Sequence, residues 1–324
     1  MPDDRAIEPA EPRQVLISVN PTAGRGRAGR CVDELVQRLE QHGLPASVLT
    51  DLDEVAERAD SLHREGQLRA LVGAGGDGTA AELVNRTSPG VPLALLPLGT
   101  ENLLAKYLNQ SPSAEAVCQT IVDGVRVTLD AGKANGRIFL LMVGCGFDAE
   151  VIRQLELTRS GNITHWAYFK PIVAAIRSYQ YPPLRVYLDG ADDCDDTGDD
   201  TEDESKIECR WAFAFNLPCY AWGLPFAREA VGTDSLLDIC TFRRGGVFSG
   251  MWYLTNLVLR RHARMSDCET RRAGRLRIES DEPVPYQIDG DLGGVLPLEV
   301  QLLPGRLTLL ASRDWADAHQ ARRR

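Results

Sequence analysis

The chain has 324 residues, a formal net charge of −10 from 36 basic and 46 acidic residues, and 44% hydrophobic residues. This composition is ordinary for a globular protein, the length predicts two domains, and the acidic total disfavours a general nucleic-acid binder. The eight cysteines are scattered, so neither a zinc knuckle nor a disulfide framework is indicated. The acidic excess is confined to residues 189–204, which hold ten acids and no base.

Strands and helices alternate in the first part of the chain, with short turns between them, as in a parallel α/β sheet. Glycine-rich loops follow the third and fourth strands, at the sheet edge where such folds bind ligands. The apolar runs predict strands over 15–19, 47–50, 68–72 and 93–96. The helical spacings predict helices over 28–42, 53–65 and 101–108, and another that contains Ala81, Leu83 and Val84.

After about residue 130 the pattern becomes a series of strands with only two helices, over Thr164–Tyr179 and Gly246–Arg264. We therefore predict an α/β domain over 13–130 and a mostly antiparallel, β-rich domain over 131–305, with the tail 306–324 as a candidate to pack back on the first. The acidic segment 189–204 has no apolar anchor, so we expect a disordered loop between two strands. The strands are predicted over 129–133, 137–143, 184–188, 210–217, 237–242, 276–279, 284–288 and 298–302.

The first loop matches the dinucleotide-binding pattern only loosely. Residues 24–29 spell G-x-G-x-x-G, and Asp51 follows the second strand at a suitable distance. However, residues 20–23 separate the first strand from the first glycine, where the dinucleotide fold needs an immediate tight turn. No G-K-[ST] of a Walker A loop is present. An NAD site is therefore disfavoured.

The loop Gly75-Gly76-Asp77-Gly78-Thr79 is more specific. Glycines let the backbone approach a ligand, and a following helix N-terminus favours an anion. A carboxylate in that place would repel phosphate unless a divalent cation lay between them, so the loop indicates a nucleotide with Mg²⁺. The alternative is a tight strand-to-helix turn that Asp77 caps. Residues 99–102 repeat the arrangement after the next strand, which predicts a composite site.

Five motifs follow one another along the chain: Asn20-Pro21 with Gly24, Gly75–Thr79, Pro97–Leu103, Gly144–Val151 and Asp289-Gly290-Asp291. In this order they resemble the lipid kinases of the diacylglycerol kinase catalytic-domain type, which include sphingosine and ceramide kinases. The resemblance covers residues 14–310. The second motif is shared with NAD kinases and phosphofructokinases and indicates only the superfamily, whereas the third and fifth motifs select its lipid-kinase branch.

This resemblance implies a fold and a set of site residues. ATP would lie in a cleft between an NAD kinase-like or phosphofructokinase-like α/β domain and the β-rich domain, and Asp77 would act through Mg²⁺. Asp291 would be the general base that accepts the proton of the substrate hydroxyl. The residues implied for the nucleotide are Asn20, Thr50, Gly75, Gly76, Gly78, Thr79, Gly99, Thr100 and Asn102.

Other positions match the family less closely. Asp291 stands where the family has Glu, which is one methylene longer. Asp234 is a candidate second-metal ligand, although the D-G-x-L-D motif reads D-S-L-L-D here, and a turn acid is the alternative. Glu150, with Asp148 as its rival, aligns with an acid that contacts the lipid head group in sphingosine kinases, and solvent-facing acids at a strand end are the alternative for both.

Residues 243–277 carry nine arginines and two acids beside several large apolar residues. Such a segment is a candidate for peripheral contact with a membrane. For the apolar stripe itself, Met251, Leu254, Leu257 and Val258, we favour an ordinary core face. The polar N-terminus shows no signal peptide, and no apolar run approaches the ~20 residues that span a bilayer. We therefore expect a cytoplasmic protein that associates peripherally with membranes when active.

The sequence thus predicts an ATP- and Mg²⁺-dependent kinase of a lipid hydroxyl, on diacylglycerol or a sphingoid or ceramide-like lipid, with no nucleic-acid partner. One rival is a kinase of a water-soluble alcohol, as NAD kinases are. Another is a catalytically dead sensor that binds nucleotide or lipid, which Asp in place of Glu at position 291 would suggest. The sequence leaves a homodimer open.

Overall fold

The structure, a computed structural model, describes residues 12–19, 27–158, 169–189, 206–218, 220 and 226–321. The chain divides into two compact units, one formed by Met1–Thr128 with Leu307–Arg324 (unit 1) and the other by Leu129–Arg306 (unit 2). The strands are β1 (Gln14–Val19), β2 (Ala46–Leu49), β3 (Leu68–Gly75), β4 (Pro92–Pro97), β5 (Val125–Ala134), β6 (Arg137–Phe139), β7 (Met142–Cys145), β8 (Leu184–Asp189), β9 (Lys206–Cys209), β10 (Trp211–Phe215), β11 (Leu237–Phe242), β12 (Cys268–Ala273), β13 (Arg275–Glu279), β14 (Pro285–Ile288), β15 (Asp291–Val295) and β16 (Leu298–Ala311). The helices are α1 (Arg27–Gln41), α2 (Leu52–Arg64), α3 (Asp77–Arg86), α4 (Leu103–Tyr107), α5 (Ala114–Asp123), α6 (Phe147–Thr158), α7 (Phe169–Ser178), α8 (Val247–Val258) and α9 (Arg313–Ala321), with a 3₁₀ turn at His262–Arg264.

Unit 1 is a parallel sheet in the order β2-β1-β3-β4, and the end of β16 lies parallel beside β4. Its central strands are buried along almost their whole length, as expected when helices cover both faces of a parallel sheet. Apolar residues of α1 and α5 pack on these strands. The tail joins this unit through Trp315, whose indole N–H donates to the carbonyl of Tyr107 at 2.6 Å.

Unit 2 consists of two antiparallel sheets. One contains the first part of β16 followed by β13, β8 and β9, together with the β5–β6 pair, and the other runs β12-β11-β10-β7-β14-β15. A cluster of buried apolar side chains from both sheets lies in the core. The predicted fold class, a parallel α/β domain followed by a mostly antiparallel β domain, is therefore confirmed.

The acidic segment joins two paired strands. Tyr187 of β8 lies opposite Lys206 of β9 in an antiparallel pair. Residues 190–205 lie outside the described residues, and so does the prediction that they form a disordered loop.

Several element predictions were wrong in detail. The single strand predicted over 137–143 is two strands, because the amides of residues 140–142 turn toward the carboxylate of Asp289. The helix predicted over Gly246–Arg264 ends at Val258, and Arg260 then takes a left-handed φ of 58°. Of the helix predicted over Thr164–Tyr179, the structure describes Phe169–Ser178.

Candidate functional site

Two glycine loops of unit 1 touch each other through their backbones. Gly75 ends β3 opposite Pro97, which ends β4, so the loops leave neighbouring parallel strands at the same sheet edge. A Cβ atom at Gly99 would lie 2.6 Å from the Cα of Gly76. Real Cβ atoms do not approach backbone so closely, so this packing requires glycine at position 99. The structure therefore brings together the two loops that the sequence predicted to form one site.

The second loop is held in shape by Asn102. This residue has a left-handed φ of 50°, and its side-chain oxygen accepts the N–H of Gly99 at 2.9 Å while its amide nitrogen donates to the Gly99 carbonyl at 2.8 Å. The neighbouring Thr100 is exposed. Asn102 thus acts on the shape of the loop in this structure.

Asp77 ties the two loops together. Its carboxylate accepts the backbone N–H groups of Leu103 at 2.8 Å and Leu104 at 2.9 Å, at the start of α4. Burial raises the pKa of Asp77, and the two backbone hydrogen bonds partly counteract that rise. Because these N–H groups already neutralise part of its charge, Asp77 repels a phosphate less strongly than the sequence alone predicts. Each oxygen still has lone pairs for a metal ion.

The start of α3 offers unsatisfied donors. The cap residue Gly76 provides no side-chain hydrogen bond, and within the described residues the N–H groups of Asp77 and Gly78 have no acceptor. A Cβ at Gly78 would meet nothing within 4 Å, so open space adjoins these donors. Backbone N–H groups at a helix N-terminus beside open space fit a phosphate group.

The structure gives less support to the remaining residues that the sequence predicted to bind the nucleotide. Thr79 folds over Gly75, where a Cβ would collide with its hydroxyl. Thr50 is exposed after β2, and β1 separates that strand from β3. Asn20 lies outside the described residues. Asp51, the acid of the disfavoured dinucleotide pattern, caps α2 by accepting the N–H groups at residues 53 and 54.

In unit 2, Asp291 follows a tight hairpin turn between β14 and β15. Both turn residues, Asp289 and Gly290, have positive φ angles, of 50° and 89°, as a two-residue hairpin loop requires. The carboxylate of Asp289 accepts the N–H groups of residues 140, 141 and 142 at 2.7–2.9 Å. The side chain of Asp291 is 52% exposed and lies 3.2 Å from a guanidinium nitrogen of Arg137. The turn is thus fixed by Asp289 while Asp291 faces outward.

Asp148 is connected to this turn by hydrogen bonds. Its carboxylate accepts the hydroxyl of Tyr220 and, at 3.0 Å, the side-chain amide of Gln287, whose oxygen accepts the N–H of Gly290 at 2.8 Å. Burial raises the pKa of Asp148, and the bonds from Tyr220 and Gln287 oppose that rise. Asp148 lies in the first turn of α6, so the alternative of a solvent-facing acid at a strand end was wrong.

Glu150 is buried in α6, with 5% of its surface exposed. Both of its oxygens accept hydrogen bonds from Arg153 at 2.7 Å, and Gln154 donates to one of them. Burial raises the pKa of Glu150, but these bonds outweigh burial and lower it. The alternative of a solvent-facing acid at a strand end was wrong here too, and the carboxylate is used within its own helix.

Asp234 lies in a turn of unit 2. Its carboxylate accepts the N–H of Leu236 at 3.2 Å and lies 3.8 Å from Arg272. The described residues contain no group of three or more His, Cys, Asp or Glu that could hold a metal ion. The buried Asp130, which the sequence did not single out, holds this turn by accepting the N–H of Ser235 at 2.9 Å and that of Gly305 at 2.8 Å.

Sequence reasoning assigned no role to three polar residues near Asp148 and Asp291: Asp289, which it quoted only as part of a motif, Gln287 and Tyr220. For Asp289 the Asp-Gly dipeptide was a hairpin signal. For Gln287 the signal was a lone polar residue in an otherwise apolar strand, but its partners, Asp148 and Gly290, can be recognised only in the folded chain.

Comparison with known proteins agrees with this architecture. The model of the diacylglycerol kinase catalytic domain matches residues 14–134, and that of the YegS C-terminal NAD kinase beta sandwich-like domain matches residues 141–311. The chain belongs to the diacylglycerol kinase catalytic-domain family. The resemblance inferred from the motifs is thereby confirmed.

Members of the family match over nearly the whole chain. The diacylglycerol kinase of Bacillus subtilis (strain 168) is 24% identical over 314 residues, which cover 94% of this chain and 98% of that protein. An uncharacterized protein of Synechocystis, sll0036, is 25% identical over 90% of this chain and 69% of its own. A crystal structure of a diacylglycerol kinase from Bacillus anthracis str. Sterne superposes with a TM-score of 0.65 at 18% identity, covering 93% of this chain and 98% of that one, which shows a shared fold.

Proposed function

We propose that this chain is an ATP-dependent lipid kinase, which transfers the γ-phosphoryl group of ATP to a hydroxyl of a diacylglycerol or of a sphingoid or ceramide-like lipid. The observation that carries the proposal is the start of α3, where the N–H groups of Asp77 and Gly78 have no acceptor in the described chain and open space adjoins Gly78. Membership of a lipid-kinase family supports phosphoryl transfer as the reaction.

The residues of unit 1 fit a nucleotide phosphate with Mg²⁺. The N–H groups at the start of α3 would bind phosphate oxygens, and the Gly99 loop would keep the backbone close. Mg²⁺ in kinases commonly uses one or two carboxylates together with phosphate oxygens, and Asp77 supplies one. When bound, Mg²⁺ neutralises the charge of the phosphates.

In unit 2 the proposed base is Asp291. It accepts the proton of the acceptor hydroxyl as that oxygen attacks the phosphoryl group. The Asp289 turn fixes the backbone at this position, and Arg137, 3.2 Å away, orients the carboxylate. Phosphoryl transfer depends mostly on positioning and charge neutralisation, so one placed acceptor is sufficient.

The decisive experiment is a γ-³²P-ATP transfer assay with a mixed lipid extract and Mg²⁺, in which mass spectrometry identifies the product. We expect lipid-dependent turnover that Asp291→Asn lowers by about 10²-fold or more, while ATP binding by calorimetry is unchanged. Asp281→Asn, an exposed acid on a surface ion pair, is the control and is expected to keep wild-type turnover.

Each other outcome has a definite meaning. Turnover with a water-soluble alcohol but not with lipid would show a kinase of another substrate class. Nucleotide binding without turnover would show a sensor. Full turnover of Asp291→Asn would remove Asp291 from its role as the base.

A further inference from the structure

The outward face of α8 in unit 2 is almost entirely apolar. At helical spacing, six large apolar side chains share this face with Thr255, and each is between 47% and 89% exposed. A soluble helix normally presents polar residues to water, and large exposed apolar patches mark interaction sites. We name these six residues the α8 surface: Phe248, Met251, Trp252, Leu254, Val258 and Leu259.

The opposite face of the helix fixes this orientation. Tyr253 and Leu257 are buried, and the ring of Tyr253 lies 4.5 Å from that of Phe242. The hydroxyl of Tyr253 accepts the N–H of Arg244 at 3.0 Å. The prediction that Met251, Leu254, Leu257 and Val258 form a core face was therefore correct only for Leu257. The helical periodicity located an apolar stripe on α8, but the buried stripe is the neighbouring one, which contains Tyr253 and Leu257.

Arginines flank the α8 surface at both ends, and α8 itself contains no charged residue. Arg243 and Arg244 precede it and pair with Glu269 and Asp267. After it, Arg260, Arg261 and Arg264 are exposed and form no ion pair with the described residues. The surface thus combines an apolar centre with ion-paired arginines at its N-terminal end and with exposed arginines, unpaired among the described residues, at its C-terminal end.

This combination fits an anionic lipid bilayer better than a second copy of the chain. In a symmetric pair of antiparallel helices, the exposed arginines after α8 would face the partner's end where Arg243 and Arg244 lie. The acids at that end are already engaged with arginines and α8 contains none, so no acid is left to pair with the incoming arginines. At a membrane, apolar side chains enter the acyl region, tryptophan favours the interface, and arginines reach lipid phosphates.

We propose that the α8 surface docks this protein on an anionic bilayer, with α8 lying in the plane of the membrane. The proposal adds a membrane partner to the proposed lipid kinase. It rests on the proposed function only for the purpose of docking, which is access to a lipid acceptor.

The test is co-sedimentation with vesicles of phosphatidylcholine alone or mixed with phosphatidylglycerol, without ATP. We expect binding to the mixed vesicles, weakened about tenfold or more in Phe248→Ser/Trp252→Ser. Leu157→Ser in α6, at a site 70% exposed, is the matched control and should bind like wild type. Equal binding by the double variant, or equal loss in the control, would overturn the proposal.

Charge is tested separately. Arg260→Gln/Arg261→Gln/Arg264→Gln should weaken binding to the mixed vesicles by about tenfold or more at low salt, with a smaller effect at high salt. The control triple, Arg30→Gln/Arg58→Gln/Arg64→Gln, replaces exposed arginines of unit 1 and should have little effect. If the first triple variant binds the mixed vesicles as strongly as the wild-type protein does, the proposal is contradicted.

Two further measurements separate the outcomes. If sedimentation equilibrium shows a dimer that Phe248→Ser/Trp252→Ser dissociates, the surface binds a second copy and the membrane proposal is wrong. Phosphorylation of a monomeric short-chain lipid should be unchanged in the double variant. If the wild-type protein showed no kinase activity, the proposed function would be wrong. Vesicle docking would still stand, since the vesicle assay contains no substrate.

Discussion

The carboxylates of the family motifs differ in how far the fold already uses their oxygens. Asp77 receives two backbone N–H groups, Asp289 receives three, and Glu150 is held by Arg153 within one helix. Asp291 is half exposed, and its contact with Arg137 spans 3.2 Å. A base must accept a proton from an incoming hydroxyl, so an accessible carboxylate suits that role better than one whose oxygens hold the backbone. This difference supports Asp291 as the base.

Ser235 has a backbone conformation that residues with a side chain disfavour. Its φ of 63° is left-handed, a conformation that suits glycine, and the matching family motif has glycine there. We expect Ser235→Gly to raise the free energy of unfolding by about 1 kcal/mol in urea denaturation. Ser266→Gly, an exposed serine without positive φ, should lower stability by up to about 1 kcal/mol through unfolded-state entropy. Lower stability in Ser235→Gly would contradict this account.

Asp148 predicts a pH dependence of stability. Because burial raises its pKa above the ordinary 3.8, the folded protein binds this proton more tightly than the unfolded chain does. Stability from this group is therefore present at low pH and is lost as pH rises from about 3.8 through the folded pKa.

Asp148→Asn should remove that loss, so its free energy of unfolding relative to wild type should increase with pH across this window. Urea denaturation at a series of pH values measures the difference. Asp33→Asn, on the exposed side of α1, controls for removal of one carboxylate. A difference between Asp148→Asn and wild type that stays constant with pH would exclude this role.

Among the elements, the start of α3 carries the clearest prediction. Gly78→Ala adds a methyl group to a space where nothing lies within 4 Å, and alanine favours the helix by about 0.5–1 kcal/mol. The variant should fold as well as wild type yet bind ATP about tenfold more weakly in calorimetry, because the methyl group enters the space expected for phosphate. Gly274→Ala in unit 2, where the nearest added contact is 3.9 Å, is the control. Unchanged ATP affinity would place the nucleotide elsewhere.

The sequence predicted elements well where one physical signal dominated. Buried parallel strands and glycine loops in unit 1 have strong local patterns, and the five motifs gave the family. Local patterns failed where tertiary contacts decide. The amides of residues 140–142 leave the strand for Asp289, and α8 buries Leu257 while exposing Met251, because periodicity identifies a stripe but not what covers it. The hydrogen bond that Gln287 donates to Asp148 joins residues 139 positions apart.

At the scale of the whole molecule, the net charge of −10 conceals two opposite regions. Residues 189–204 contain ten acids without a base, and residues 243–277 contain nine arginines and two acids. None of the described helices is long and apolar enough to cross a membrane. Because the two regions carry opposite charge, the proposed docking at an anionic surface should depend on where the charges lie more than on their sum.

Replacing residues 190–204 with Asn-Gly tests this distribution, because it removes nine acids and changes the formal net charge from −10 to −1. The pairing of Tyr187 with Lys206 leaves a short loop, so β8 and β9 should keep their register. We expect unchanged turnover of a monomeric lipid. Binding to phosphatidylglycerol vesicles should strengthen, most at low salt, because repulsion from the anionic surface falls. Binding to phosphatidylcholine alone should not change. If turnover collapsed while circular dichroism showed an intact fold, the acidic segment would be a regulatory or docking element, and its charge would act on the site itself.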